Sequence, residues 1–335
     1  MAALKFAIDF DSAFTNVYKT GSGLVLSEPT AIAVNQNNKN EIKAFGLDAR
    51  KLIGKTSENT KIIFPIFEGE IVNVKVAAKL LAEFLRKSGM ESKLSNAHAL
   101  FSVPCGSNAE MLKKYESVAK LAGISKVYFA ETPILVAIGE RIPLTDSVPC
   151  FVVDMAGGVT NIAALSLDGI IAGISVNVGA NKICTDIIDY VAEAYGLQIG
   201  LLTAERLRDE IGSLLQGDTL STIVNGRDVK TGVPKAVSLK AMDILLPTKR
   251  YYDKIAELVM EVLTKLPPEV SAEIRHSGIY ISGLASRVYG LEQYYSEKFN
   301  VKINISENSS KSVALGGGMV ISDKDLLKKV SFRLN

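Results

Sequence analysis

Residues 4–10 and 14–19 are two short runs rich in apolar side chains, with a Gly21-Ser22-Gly23 turn before a third apolar stretch at 24–26. This predicts three strands joined by tight turns. A polar run, Asn35 to Asn40, opens a strand-rich insert that ends near residue 65. Residues 74–88 carry apolar side chains at helical spacing and stop at Gly89, and 107–122 repeat that pattern before Gly123. Apolar strands are predicted at 97–103, stopped by Pro104, and at 126–129, leading through Glu131-Thr132-Pro133 into another helix.

The pattern then restarts. Residues 150–154, 161–165 and 169–175 read as three strands, with a turn at Leu167-Asp168-Gly169. Helices are predicted at about 179–195, 203–215 and 249–265, the last ending before Pro267-Pro268. A hairpin is predicted within 222–240, with turn signals at Asn225-Gly226 and Thr231-Gly232-Val233-Pro234. A strand at 278–282 runs into Gly283, and Gly316-Gly317-Gly318 opens the final helix. The second half therefore repeats the first, which implies a two-lobed α/β molecule with a cleft between the lobes.

The repeat is sharpest at two strand ends. Ile8-Asp9-Phe10-Asp11-Ser12-Ala13 and Val153-Asp154-Met155-Ala156-Gly157-Gly158 each run an apolar strand into an aspartate and a small-residue turn, 145 positions apart. A strand-end carboxylate can face a hydrated cation, and small residues let backbone N–H groups approach phosphate oxygens. Two such turns imply a duplicated fold closing on a nucleotide from both sides.

Composition narrows the class. The 335 residues are 47% hydrophobic and 22% charged, enough for a large core. Thirty-eight basic against 36 acidic residues leave no broad field for nucleic acid. Three dispersed cysteines and two histidines argue against a disulfide frame, a zinc site and a His-based triad. No apolar run reaches membrane-spanning length, and the N-terminus leads almost directly into a strand without a signal sequence.

The chain resembles bacterial MreB-type actin homologues, within the actin, Hsp70 and sugar-kinase fold. The likeness runs along the whole length, through Ser27-Glu28-Pro29-Thr30, Ile53-Gly54-Lys55-Thr56, Ser102-Val103-Pro104, Glu131-Thr132-Pro133, Thr203-Ala204-Glu205-Arg206 and Leu266-Pro267-Pro268-Glu269. It implies a two-lobed actin-like ATPase fold, each lobe a mixed five-stranded sheet with helices and a small insert. Lobe I would span residues 1–145 with its insert near 33–66. Lobe II would span 146–335, with its insert near 182–245 and a C-terminal helix at about 316–330 packing back on lobe I.

The resemblance also implies ATP or ADP with Mg²⁺ in the cleft, self-assembly into protofilaments, and a cytoplasmic place at the inner membrane face in service of cell shape. It puts Asp9 and Asp154 near Mg²⁺, and Asp11, Ser12, Ala13, Thr15, Ala156, Gly157, Gly158 and Thr160 around the phosphates. Glu205 and Arg208 would face ribose and base, an ordinary surface pair being the plainer reading, and Gly283, Leu284 and Ala285 would flank the adenine. Glu131 and Thr132 occupy the hydrolytic segment.

Several positions depart from the family pattern. Asp11 replaces a glycine, Phe14 an asparagine, Ala156 a glycine, Val159 a threonine, Thr132 the water-orienting glutamate, and Leu284 a glycine. Threonine is no proton acceptor at neutral pH and valine has no polar atom. The expectation is an actin-like filament protein that binds nucleotide and hydrolyses it poorly. The alternative is a non-polymerising pseudo-ATPase that modulates a paralogous actin-like filament. Met90 and Leu94 form a candidate membrane loop, together contributing about 3–6 kcal/mol if inserted. Tyr251-Tyr252 and Tyr294-Tyr295 are candidates for a protofilament contact or for half-buried packing.

Overall fold

The computed structural model describes residues 3–38, 41–143, 148–166 and 169–334. Residues 167 and 168 of the turn predicted at 167–169 lie outside that set, as does the start of the N-terminal segment at residues 1–2. The first half opens with an antiparallel meander, β1 (Leu4–Phe10), β2 (Phe14–Lys19) and β3 (Gly23–Pro29). A small insert follows: β4 (Ile32–Asn35), β5 (Ile42–Phe45), helix α1 (Gly46–Lys51) and β6 (Thr60–Ile63), the strands pairing in the order β5-β4-β6. A hairpin of β7 (Ile66–Phe67) and β8 (Glu70–Ile71) leads into α2 (Val74–Lys87), β9 (Ala97–Val103), α3 (Ala109–Leu121), β10 (Lys126–Glu131) and α4 (Thr132–Gly139). Asn73 and Asn108 cap α2 and α3 by accepting the Val76 and Met111 N–H groups, which fixes both starts.

The second half begins with its own meander, β11 (Cys150–Met155), β12 (Thr160–Ser166) and β13 (Gly169–Val176). Then come α5 (Ala180–Tyr195), β14 (Leu197–Gln198), α6 (Leu201–Ile211), β15 (Ser221–Asp228), β16 (Pro234–Lys240) and α7 (Ala241–Thr264). The chain ends with α8 (Pro268–Ser277), β17 (Ile279–Ser282), α9 (Leu291–Phe299), β18 (Ile303–Ile305), α10 (Ser312–Ser322) and α11 (Lys324–Val330). The two large sheets, β3-β2-β1-β9-β10 and β13-β12-β11-β17-β18, share one topology: three antiparallel strands followed by two parallel ones. The duplication read from the sequence is thus a duplication of sheets.

Each sheet packs one face on its own helices. A third core joins the halves, where Ala7 and Leu100 of the first sheet and Val152, Ala163 and Leu165 of the second close on Leu135 of α4 and Val320 of α10. The two helices cross at glycine. A Cβ on Gly316 would lie 1.9 Å from the Leu135 carbonyl oxygen, and one on Gly139 would lie 2.0 Å from that of Ser312.

Five expectations are corrected. The glycine triplet lies inside α10, which begins at Ser312, because the crossing demands residues without side chains. Helix α7 begins at Ala241, well before 249, with Pro247 in its interior; the Asp243 carboxylate accepts the Lys240 N–H at 2.7 Å and fixes the start. Asn225-Gly226 is strand, not turn: it pairs with Lys235 and Ala236, and Gly226 lets the Gln198 carbonyl approach. Met90 and Leu94 are buried in the first-half core and present nothing to a membrane. Tyr251, Tyr252 and Tyr295 are likewise buried, so they pack the second-half core and do not face a protofilament neighbour.

At the outer edge of the first sheet, Phe129 N–H donates to the Phe332 carbonyl and Phe332 N–H returns the bond, both at 2.9 Å. This single bridge ties the segment around Phe332 to the middle of β10.

Candidate functional site

The turns after β1 and β11 are geometric copies. Asp11 N–H donates to the Phe14 carbonyl at 3.1 Å, and Ala156 N–H to that of Val159 at 3.0 Å. Behind each turn, an aspartate lies directly across an antiparallel pair from an asparagine, Asp9 from Asn16 and Asp154 from Asn161. Each asparagine donates its amide to the aspartate, at 3.1 and 3.4 Å. Sequence reasoning missed these asparagines, although both stand seven positions after their aspartate, which was a readable signal. Ser102, at the end of β9, adds a hydroxyl to Asp9 at 3.0 Å.

Burial, and next the Asp11 charge, pushes the Asp9 carboxyl up to about 7. Burial, then Asp9 and Asp11, pushes Asp154 up to about 8. A divalent cation relieves such mutual repulsion. Among the described residues no group of three or more acidic, histidine or cysteine side chains is arranged as a metal site. A cation here would keep most of its water and lean on a ligand's phosphates, as Mg²⁺ does.

The two turns touch. One oxygen of Asp11, Oδ2, accepts the Ala13 N–H at 3.1 Å and, across the cleft, the Gly157 N–H at 2.9 Å. Burial pushes Asp11 up, while the N–H groups of Ala13, Ser12, Gly157 and Gly158 draw it down; the net direction is upward. Gly158 packs against the Ser12 side chain, and the Ser12 hydroxyl accepts the Gly69 N–H at 3.2 Å. Val159 packs its methyl on Gly69. Phe14, Leu284 and the Thr132 side line what remains, a cavity of about 70 Å³.

Other expected site residues are engaged elsewhere. Thr15 bonds Thr30, and Thr160 bonds the Val178 carbonyl and Tyr251, so neither hydroxyl faces the cleft. Thr132 donates to the Val103 carbonyl at 3.0 Å. The Glu131 carboxylate accepts the Gly106 N–H at 2.7 Å and does not line the cavity. Glu205 of α6 pairs with Arg50 of α1, tying the second half of the chain to the small insert of the first. The Arg50 guanidinium also lies 5.9 Å over the Phe14 ring. Arg208 turns inward: its guanidinium bonds Asp209 and Cys184, while the Glu205 carboxylate bonds Arg50. Gly283 sits against the Met155 backbone with φ +93°, and the buried Ala285 offers its carbonyl to the Tyr252 hydroxyl at 2.7 Å.

Duplicated sheets hinged on crossed helices, with matched turns facing across a cleft, are the arrangement of the actin superfamily. The family model described as MreB/Mbl protein matches residues 3–329. The chain belongs to the MreB/Mbl family. It is 32% identical over 325 residues to the cell shape-determining protein MreB of Escherichia coli K12, covering 96% of this chain and 94% of that one. It is 28% identical over 330 residues to the cell shape-determining protein Mbl of Bacillus subtilis 168, covering 98% and 99%. Among solved structures it is similar to MreB 5 of Spiroplasma citri bound to AMPPNP, at TM-score 0.92 and 27% identity over 98% of both chains. The MamK double helical filament shares the fold, at TM-score 0.81 and 16% identity over 96% of this chain and 99% of that one. The chain is thus an actin-like cytoskeletal protein of this family. Among the described residues no helix is long and apolar enough to cross a membrane.

Proposed function

We propose that the chain is a filament subunit serving cell shape, whose cleft takes adenine nucleotide with Mg²⁺ weakly and does not hydrolyse it. The filament half rests on family membership. The nucleotide half rests on the matched turns and on the Spiroplasma citri MreB 5 structures, solved with AMPPNP and with ADP. Asp9 and Asp154, steadied by Asn16 and Asn161, would hold the hydrated cation, and the N–H groups of Ser12, Ala13, Gly157 and Gly158 the phosphates. Bound nucleotide with its cation would supply a polarised terminal phosphoryl group open to attack by water.

The observation that carries the lack of hydrolysis is the state of the water-orienting segment. The Thr132 hydroxyl is committed to the Val103 carbonyl, Val159 presents only methyl groups, and the Glu131 carboxylate is held by Gly106 outside the cavity. Loss of one positioning group costs a factor of about 10²–10³ in rate, and here two are gone. Phosphate release should therefore match the buffer background, while the protein pellets and shows filaments in negative stain. Release well above background would sink the hydrolytic half; failure to pellet under any nucleotide condition would sink the filament half.

A further inference from the structure

We infer that the Asp11 carboxylate is a built-in stand-in for a nucleotide phosphate, closing the two lobes in the absence of ligand. The inference rests on the reading of the cleft as a nucleotide site, and it adds a competitor that is part of the chain. The geometry is that of an anion in a nest of backbone N–H groups. A single oxygen, Oδ2, accepts from Ala13 on one lobe at 3.1 Å and from Gly157 on the other at 2.9 Å. The N–H groups of Ser12 and Gly158 also draw this carboxyl down, against its burial. A phosphate held between the facing turns would compete for these same N–H groups.

The surroundings fit a closed state. A Cβ on Gly157 would lie 2.4 Å from the Ala13 Cβ and 2.5 Å from Asp11 Oδ2, so the turns are already at glycine-limited contact. The Gly69 N–H donates to Ser12 beside them. Nearby, Arg50 of α1 spans from the Phe14 ring to Glu205 of α6. The remaining cavity, about 70 Å³, has room for a few waters and is lined by Asp11, Ala13 and Gly157 themselves. An incoming phosphate must therefore displace Asp11 from the same N–H groups. The side chain that closes the cleft is also the one that lowers affinity for nucleotide.

The test is amide hydrogen exchange of the full chain, read on peptides covering residues 11–14 and 156–159, with and without AMPPNP and Mg²⁺. Wild type should be protected without nucleotide, and AMPPNP should add little. Asp11→Gly should exchange at least about tenfold faster when ligand-free, since charge-assisted bonds of this kind are the strong ones. AMPPNP should then restore protection, with affinity raised at least about tenfold over wild type by equilibrium binding of a fluorescent ATP analogue. Asp11→Asn keeps the shape and an acceptor oxygen and should fall between the two, which guards against a folding defect in the glycine variant. Ligand-free wild type exchanging as fast as Asp11→Gly would overturn the inference. So would an Asp11→Gly protein that opens yet gains no affinity for nucleotide. ATP turnover by wild type would overturn the functional reading above and leave the Asp11 closure standing.

Discussion

Gly316→Ala should destabilise this protein, although alanine is the better helix former. In the interior of a helix, the substitution ordinarily stabilises by about 1 kcal/mol. Here the new Cβ would lie 1.9 Å from the Leu135 carbonyl oxygen, 2.7 Å from its carbon and 2.9 Å from the Gly139 nitrogen. Ordinary contact begins near 3.4 Å, so α4 and α10 must separate by more than an ångström. The obstacles are backbone atoms of a helix and cannot rotate aside. Overpacking of this kind costs about 1–3 kcal/mol, occasionally more, which exceeds the propensity gain. The neighbouring Gly317 would meet mainly the Ala7 methyl at 2.9 Å, a milder conflict. Urea denaturation followed by far-ultraviolet circular dichroism should rank the proteins wild type, Gly317→Ala, Gly316→Ala, from most to least stable. A Gly316→Ala protein as stable as wild type, or more so, would refute the reading of this crossing as glycine-dependent.

A double-mutant cycle on Arg50→Ala and Glu205→Ala should give a coupling of about 1 kcal/mol, the upper range for a partly exposed pair, and it should shrink as salt is added. Zero coupling at low salt would mean that α1 and α6 do not hold each other. Partial burial pushes the Asp253 carboxyl up, but Lys249, Lys298 and Tyr294 outweigh it and hold it down at about 2. A carboxyl lowered on folding stabilises fully above its unfolded value and loses that contribution as pH falls through its folded value. Wild type should thus exceed Asp253→Asn in urea midpoint at about pH 5, with the gap closing between about pH 4 and pH 2. A gap that widens on acidification would contradict that sign.

The sheets and their duplication were legible because both halves restate one three-strand opening and one strand-end aspartate. Helix limits were less so. The start of α7 depended on the Lys240–Asp243 cap, and a proline such as Pro247 argues locally against the helix that contains it. Gly316 reads as a helix start until the close approach of α4 is known. Local sequence could not place Met90, since its burial depends on residues far along the chain. At the cleft, the small-residue turns pointed to the right place, but a second carboxylate read as repulsion. Only the structure brings Gly157 within reach of Asp11 and turns that repulsion into a bond. The redirection of Arg208 towards Cys184 and Asp209 was likewise invisible, because helix spacing alone put it on the Glu205 face.

The pairing of Phe332 with Phe129 bears on how copies of this chain can meet. An uncovered border strand invites neighbouring molecules to continue the sheet, a route to irregular aggregates. Molecules held at high local density along a polymer would meet that hazard constantly. With Phe129 already bonded to Phe332 of the same chain, the middle of this border is blunted as a template for cross-chain strand growth. An intruding strand would first have to break both Phe129–Phe332 bonds, which favours association through side-chain surfaces whose shape can specify one register.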